Sequence, residues 1–140
     1  MEKIYLACDH AAYEGKEFVK SLLNDYEVVD LGTNSTDSVH YPDYGKKIAQ
    51  AVLESKAKGI ALCGSGIGIS IQVNRFKGIR GALCRNTEDA KMSRLHNDSN
   101  ILCLGARFNS NEEIKEIVDM WLTTEFEGGR HQTRVDMLDN

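Results

Sequence analysis

The sequence predicts an α/β fold: a five-stranded parallel sheet with helices on both faces, a three-layer sandwich, followed by a C-terminal helical tail. Two observations carry this. Five short apolar runs are bounded by Gly, Asp or Asn, as strands buried on both faces are. Amphipathic stretches at helical spacing separate them, and such alternation builds parallel sheets.

The first run is Lys3 to Cys8, followed by a helix over Ala12 to Asn24 with Phe18, Val19, Leu22 and Leu23 on its apolar face. The second run is Glu27 to Leu31. The helix after it spans Pro42 to Glu54, with Pro42 at its first position and Ile48, Ala49, Val52 and Leu53 inward. Gly59 to Cys63 is the third run, and its helix starts near Gly66 and continues through Ile69, Ile71 and Val73. Gly81 to Cys84 precedes a helix over Thr87 to Leu95, entered through Asn86. Asn100 to Leu104 precedes a helix over Asn111 to Phe126, where Ser110 and Glu113 spell a capping box. Gly128-Gly129 then reads as a C-cap and a redirected chain. The tail from Arg130 to Asn140 is too polar to stand alone, so it packs on this subunit or a partner.

The chain has 140 residues, the size of one domain, with 41% hydrophobic and 27% charged residues. Its formal charge of −4 makes it a poor attractor of nucleic acid or anionic membrane. No apolar run is long enough to span a bilayer, and none precedes the first strand. The expectation is a soluble, unprocessed protein of the cytoplasm. Cys8, Cys63, Cys84 and Cys103 form no CxxC pair, and there is no HExxH, so no metal site is expected. Cys84 and Cys103 read as inert core residues of a reducing compartment.

Ligands of such sheets bind beyond the carboxyl ends of the strands. There Cys63-Gly64-Ser65-Gly66-Ile67-Gly68 leaves a strand and opens a helix. Glycines let a ligand approach the backbone, and helix-start N–H groups favour an anion. The spacing is not that of a dinucleotide loop, because position 69 is Ile69, and no Gly-Lys-Ser/Thr follows to make a P-loop. A thiol has a pKa near ~8.5, and helix starts lower it, so Cys63 is a candidate general base. A glycine turn beside a buried inert cysteine is the plain alternative.

Asp9-His10 follows the first strand. Asp9 reads first as a helix N-cap, whereas His10 beside an anion loop has no core role. His96-Asn97 offers a proton donor and a neutral hydrogen bonder to a polyol. Arg107, Arg130 and Arg134 suit a phosphate, although each singly could be a surface salt bridge.

The ordered set Ala7-Cys8-Asp9-His10, Asp30-Leu31-Gly32-Thr33, Tyr41-Pro42-Asp43-Tyr44, Cys63 to Gly68, Asn74 to Arg80, His96-Asn97-Asp98, Leu104-Gly105-Ala106-Arg107 and Phe126 to His131 resembles the ribose-5-phosphate isomerase type B family. That family includes galactose-6-phosphate and allose-6-phosphate isomerases. The resemblance implies a Rossmann-like fold and a homodimer, with a dimer of dimers as a further option. Its active sites lie in the subunit clefts and use no cofactor or metal. It implies that Cys63 moves the proton between C1 and C2, and that Ser65 and the backbone of Gly64, Gly66, Ile67 and Gly68 hold the enediolate. Asp9 binds sugar hydroxyls and Tyr44 lies near the sugar. His96 opens the ring, a role that His131 could take instead, and Asn97 binds substrate. His10, Arg107, Arg130 and Arg134 hold the phosphate, with His96, Asn97 and Arg107 supplied by the partner. Where many members carry an acid before Tyr-Pro, this chain has His40. Ribose against a six-carbon sugar stays open. The rival from another class is a receiver or nucleotide-binding module, but a receiver needs an acceptor Asp where Cys63 stands.

Overall fold

Every strand of the sheet runs parallel to its neighbours, in the order β2-β1-β3-β5-β4. The computed structural model describes residues 1–140. The strands are β1 (Lys3–Cys8), β2 (Glu27–Asp30), β3 (Lys58–Cys63), β4 (Gly81–Leu83) and β5 (Ile101–Gly105). The helices are α1 (Tyr13–Leu22, after a 3₁₀ turn at His10–Ala12), α2 (Tyr41–Ser55), α3 (Ile67–Val73), α4 (Thr87–Leu95), α5 (Asn111–Thr123) and α6 (Arg130–Asp136).

Side chains alternate across a strand, and here that alternation divides the interior into two cores. Ile4, Leu6, Cys8, Ile60, Leu62, Leu102 and Leu104 face one layer, with Val19 of α1, Ala90 of α4 and Ile114, Val118 and Trp121 of α5. Ala7, Ala61, Cys63, Ile101 and Cys103 face the other, with Ile48, Ala49 and Val52 of α2 and Ile69 and Val73 of α3. Burial on both faces is why these strands read as continuous apolar runs.

The N-caps expected at Asn86 and Ser110 are present. Asn86 Oδ1 accepts from the Asp89 N–H at 2.8 Å, and Ser110 and Glu113 bond reciprocally at 2.8 and 3.2 Å. Other expectations need correction. Leu53, expected inward, is 36% exposed. Helix α5 stops at Thr123, and Gly128-Gly129 do not cap it. Gly129 instead sits at the N-cap of α6, and both glycines have positive φ, 74° and 58°. The tail is tied to its own chain: Asp139 Oδ2 accepts from the Gly78 N–H at 2.8 Å and His131 stacks on His96, while Leu95 O accepts from the Glu127 N–H at 3.0 Å in the segment leading into it.

One charge sits deep at the β2 edge. Lys16 is fully buried and its ammonium donates to both oxygens of Asp30, at 2.7 and 2.6 Å. Asp30 Oδ1 also accepts from the Gly32 N–H at 2.9 Å. Burial opposes ionisation of Asp30, but the bonds from Lys16, Lys20 and Gly32 outweigh it and hold the carboxyl below its ordinary value. Asp30→Ala leaves the Lys16 ammonium buried with only Glu17 and Asn34 nearby. Removing one partner of a buried pair is strongly destabilising, and the expected loss in denaturant unfolding is about 3 kcal/mol. A depressed carboxylate stabilises above its unfolded value and stops doing so as pH falls through its folded value. The gap between wild type and variant should therefore shrink below about pH 4. A gap that stays constant to lower pH would show that this pair does not carry the stability.

Candidate active site

All five strands point the same way, so the residues after them form one edge of the sheet and those before them the opposite edge. The carboxyl edge gathers the ends of β1, β3 and β5. The β3 and β5 register pairs Cys63 with Gly105, so their turns leave the sheet side by side. The β3–α3 turn is fixed by Gly66, whose φ is +78°. A side chain there would begin 2.7 Å from Leu83 Cδ1 and 2.8 Å from the Leu104 carbonyl carbon. Only glycine fits both the backbone conformation and this contact.

The turn carries Cys63 with it. The thiol is 5% exposed, and the Gly66 N–H donates to its sulfur at 3.1 Å. Ser65 Oγ accepts from the Ile67 N–H at 3.1 Å, so its hydroxyl hydrogen is left to give to a ligand. The Arg107 guanidinium lies over Gly64, where a Cβ would be 3.2 Å from Nη1, and the Arg107 N–H donates to Gly64 O at 3.0 Å. The resemblance groups Arg107 with His96 and Asn97 on a partner. The pairing of β3 with β5 instead places it beside Cys63 of its own chain.

Asp9 is nearly buried, and its Oδ1 accepts from the Ala11 N–H at 3.1 Å, the N-cap role expected first. Its own N–H donates to Leu62 O at 3.2 Å, which ties it to β3 one residue before Cys63. His10 Nδ1 accepts from the Val39 N–H at 3.1 Å, so a neutral imidazole carries its hydrogen on Nε2. The Tyr44 ring packs on Gly32, just past β2, and Tyr41 packs on Gly68. Tyr41 and Glu127 stand in the sequence motifs without a role of their own, and Arg85 lies outside them. Arg85 stacks on Phe108 at 4.2 Å and packs against Gly105 beside the Ser65 carbonyl.

His96, Asn97, Arg130, His131 and Arg134 lie at the amino edge. The loop from His96 precedes β5 and is held by Arg94, which is 5% exposed and donates to Asp98 Oδ1 at 2.9 Å, Ser99 O at 2.6 Å and Thr124 O at 3.1 Å. His96 and His131 stack with ring centres 4.1 Å apart. Glu127 lies between them, 3.8 Å from His96 Nε2 and 4.0 Å from His131 Nε2. The signal for Glu127 was its i,i+4 spacing to His131. Desolvation, with the neighbouring His96 and Arg130, holds His131 below the usual imidazole value. Within one chain the expected site residues thus form two sets, not one.

Fold and site define the class: a doubly wound α/β protein with a thiol and glycine turn at its carboxyl edge and a histidine–arginine cluster at its amino edge. The ribose/galactose isomerase family model matches residues 4–138, and the chain belongs to that family. It is 44% identical over 141 residues to ribose-5-phosphate isomerase B of Escherichia coli, covering 99% of this chain and 95% of that protein. It superposes on ribose-5-phosphate isomerase B of Clostridium thermocellum with a TM-score of 0.96 at 47% identity, covering 98% of this chain and 95% of the other. A ribose 5-phosphate isomerase of Thermotoga maritima gives 0.96 at 49% identity, covering 99% and 97%. No helix is long and apolar enough to cross a membrane.

Burial pushes the Cys8 thiol up to about 12 and Cys84 up to about 11, and raises Cys103 further. These three stay protonated near neutral pH, and a thiol reacts as its thiolate. Brief iodoacetamide treatment of the folded protein should therefore label Cys63 first. Peptide mass spectrometry reads the site, and equal labelling of Cys84 would contradict the assignment.

Proposed function

We propose that this chain interconverts ribose 5-phosphate and ribulose 5-phosphate through an enediolate, with Cys63 as the base. The observation that carries the reading is the Gly66 N–H on the Cys63 sulfur, in a glycine turn that opens a helix. The N–H is placed to hold a thiolate. That thiolate takes the proton from C2 of the open-chain aldose. The C2–H electron pair forms the C1–C2 double bond, and the carbonyl pair moves onto O1. Early helix N–H groups lack intrahelical partners. The Gly66 and Ile67 N–H groups are bonded to Cys63 and Ser65, so Gly68 and the Ser65 hydroxyl are left for the oxyanion. Return of the proton to C1, with transfer of the O2 hydrogen to O1, gives the ketose.

Ring opening needs an acid, and the acid in this reading is His96. His96 and Asn97 lie on the far edge of their own sheet, so a second copy of the chain supplies them to each cleft. The same copy brings Arg130 and Arg134 to the phosphate held by His10 and Arg107. Exposed Ile67, Ile71 and Phe108, at 47%, 52% and 60%, flank the Cys63 turn and suit an apolar subunit contact. The family description also names galactose, so a panel of five- and six-carbon aldose phosphates is the substrate test.

Cys63→Ala should lower turnover on ribose 5-phosphate by at least ~10²–10⁴-fold, the usual loss for a general base, with the fold retained by circular dichroism. Near-normal turnover would reject Cys63 as the base. Mixing inactive Cys63→Ala and His96→Ala proteins should restore activity, because each hybrid dimer keeps one cleft with both residues intact. If labelled subunits exchange and activity stays absent, both residues act from one chain.

A further inference from the structure

The cluster at the amino edge has features that sugar chemistry alone does not explain. His96, Glu127 and His131 each offer a ligand atom, and these atoms all lie within 4.8 Å of one another. The carboxylate reaches both rings, yet 3.8 and 4.0 Å are too long for hydrogen bonds. His131 is 7% exposed, and its Nε2 is buried with no hydrogen-bond partner. A buried imidazole nitrogen without a partner is costly, so this atom is aimed at a ligand that the single chain does not supply.

The donor chemistry limits what that ligand can be. Two imidazoles and one carboxylate suit zinc-class divalent metals, whereas magnesium and calcium prefer all-oxygen sites. Arg130 and Arg134 on the same helix as His131 add positive charge nearby. That disfavours ions held by charge alone and leaves those that bond strongly to nitrogen. A tetrahedral centre with bonds of about 2.1 Å needs donors roughly 3.4 Å apart. The rings stack with only 14° between their planes, so their in-plane lone pairs run side by side; binding therefore requires the part-exposed His96 to turn out of the stack while half-exposed Glu127 closes on the ion.

We infer that His96, Glu127 and His131 form a three-ligand zinc-class metal site, and that a metal bound there inhibits the enzyme by withdrawing His96 from the sugar. The metal is an inhibitor here, not a cofactor: the proton transfer at Cys63 does not involve it. Binding stands on the cluster alone, and inhibition rests on the function proposed above.

The test keeps the two separable. Cobalt(II) is titrated into full-length Cys63→Ala protein, which removes the candidate catalytic thiol as a competing ligand. The expected result is one equivalent per chain, with the visible absorption of a nitrogen–oxygen site and no thiolate charge-transfer band. Glu127→Gln, at a half-exposed position, and His131→Ala should each weaken binding by roughly 10–100-fold or more, since even outer-shell losses cost that much. No cobalt spectrum, or equal affinity in both variants, overturns the site. In the protein with Cys63 intact, zinc should inhibit ribose 5-phosphate turnover. The inhibiting concentration, measured against each protein's own rate, should rise in Glu127→Gln by the same factor as the binding constant. Inhibition that does not shift comes from another ligand and overturns the inhibitory role. Binding without inhibition overturns the withdrawal of His96.

Discussion

The close seating of the β3–α3 turn on the end of β5 governs the rest of the carboxyl edge. Gly66 and Gly105 meet there with no room for a Cβ on either. At Gly66 it would meet the Leu104 and Gly105 backbone, and at Gly105 it would meet Arg85 and the Ser65 peptide. Because the chains touch backbone to backbone, the helix start is pulled directly over the strand end. That brings the Gly66 N–H to the Cys63 sulfur and lays Arg107 across Gly64. A bulkier turn would lift α3 away and open the thiol to solvent. The site's geometry is therefore a packing result, fixed by what is missing from two residues.

The parallel sheet imposes a second constraint. Every β–α turn lies at one edge and every α–β turn at the other, so the two halves of the proposed chemistry face opposite ways in one subunit. Rigid anchoring makes the separation firm. Arg94 and Trp121, both buried, hold the loop after His96 through Asp98 and Ser99. The tail is tied at Gly78, and the segment leading into it at Leu95. Neither half can swing around the sheet, which is the physical case for a second copy of the chain in each cleft. It also keeps His96, Glu127 and His131 close whether or not a partner is present.

Parts of this were open to a reader of the sequence. Apolar runs marked all five strands; in the central β1, β3 and β5, burial on both faces leaves no polar alternation, whereas the edge strands β2 and β4 are only partly buried. Ser110 with Glu113 and Asn86 marked helix starts because capping is local chemistry. Local signals misled where a longer-range contact decided. Gly128-Gly129 looked like a C-cap, but α5 had already ended at Thr123, where the Thr124 carbonyl accepts from Arg94. Leu53 looked inward, but it lies at the rim of the apolar face of α2, beyond Val52, and stays 36% exposed. That Arg107 lies over Gly64 of its own chain followed only from the β3–β5 register.

The sequence by itself determined the order of strands and helices, the glycine turn after Cys63 and the residue types gathered at each turn. These depend on near neighbours: periodicity, caps and the φ freedom of glycine. It also carried enough ordered motifs to indicate the family. Tertiary structure alone decided which thiol stands against an N–H and which three burial pushes up. It decided that the candidate residues divide between two edges, and that Glu127 lies between two stacked histidines. Those facts depend on strand order and register, which bring together residues far apart in the chain through contacts that no local pattern encodes.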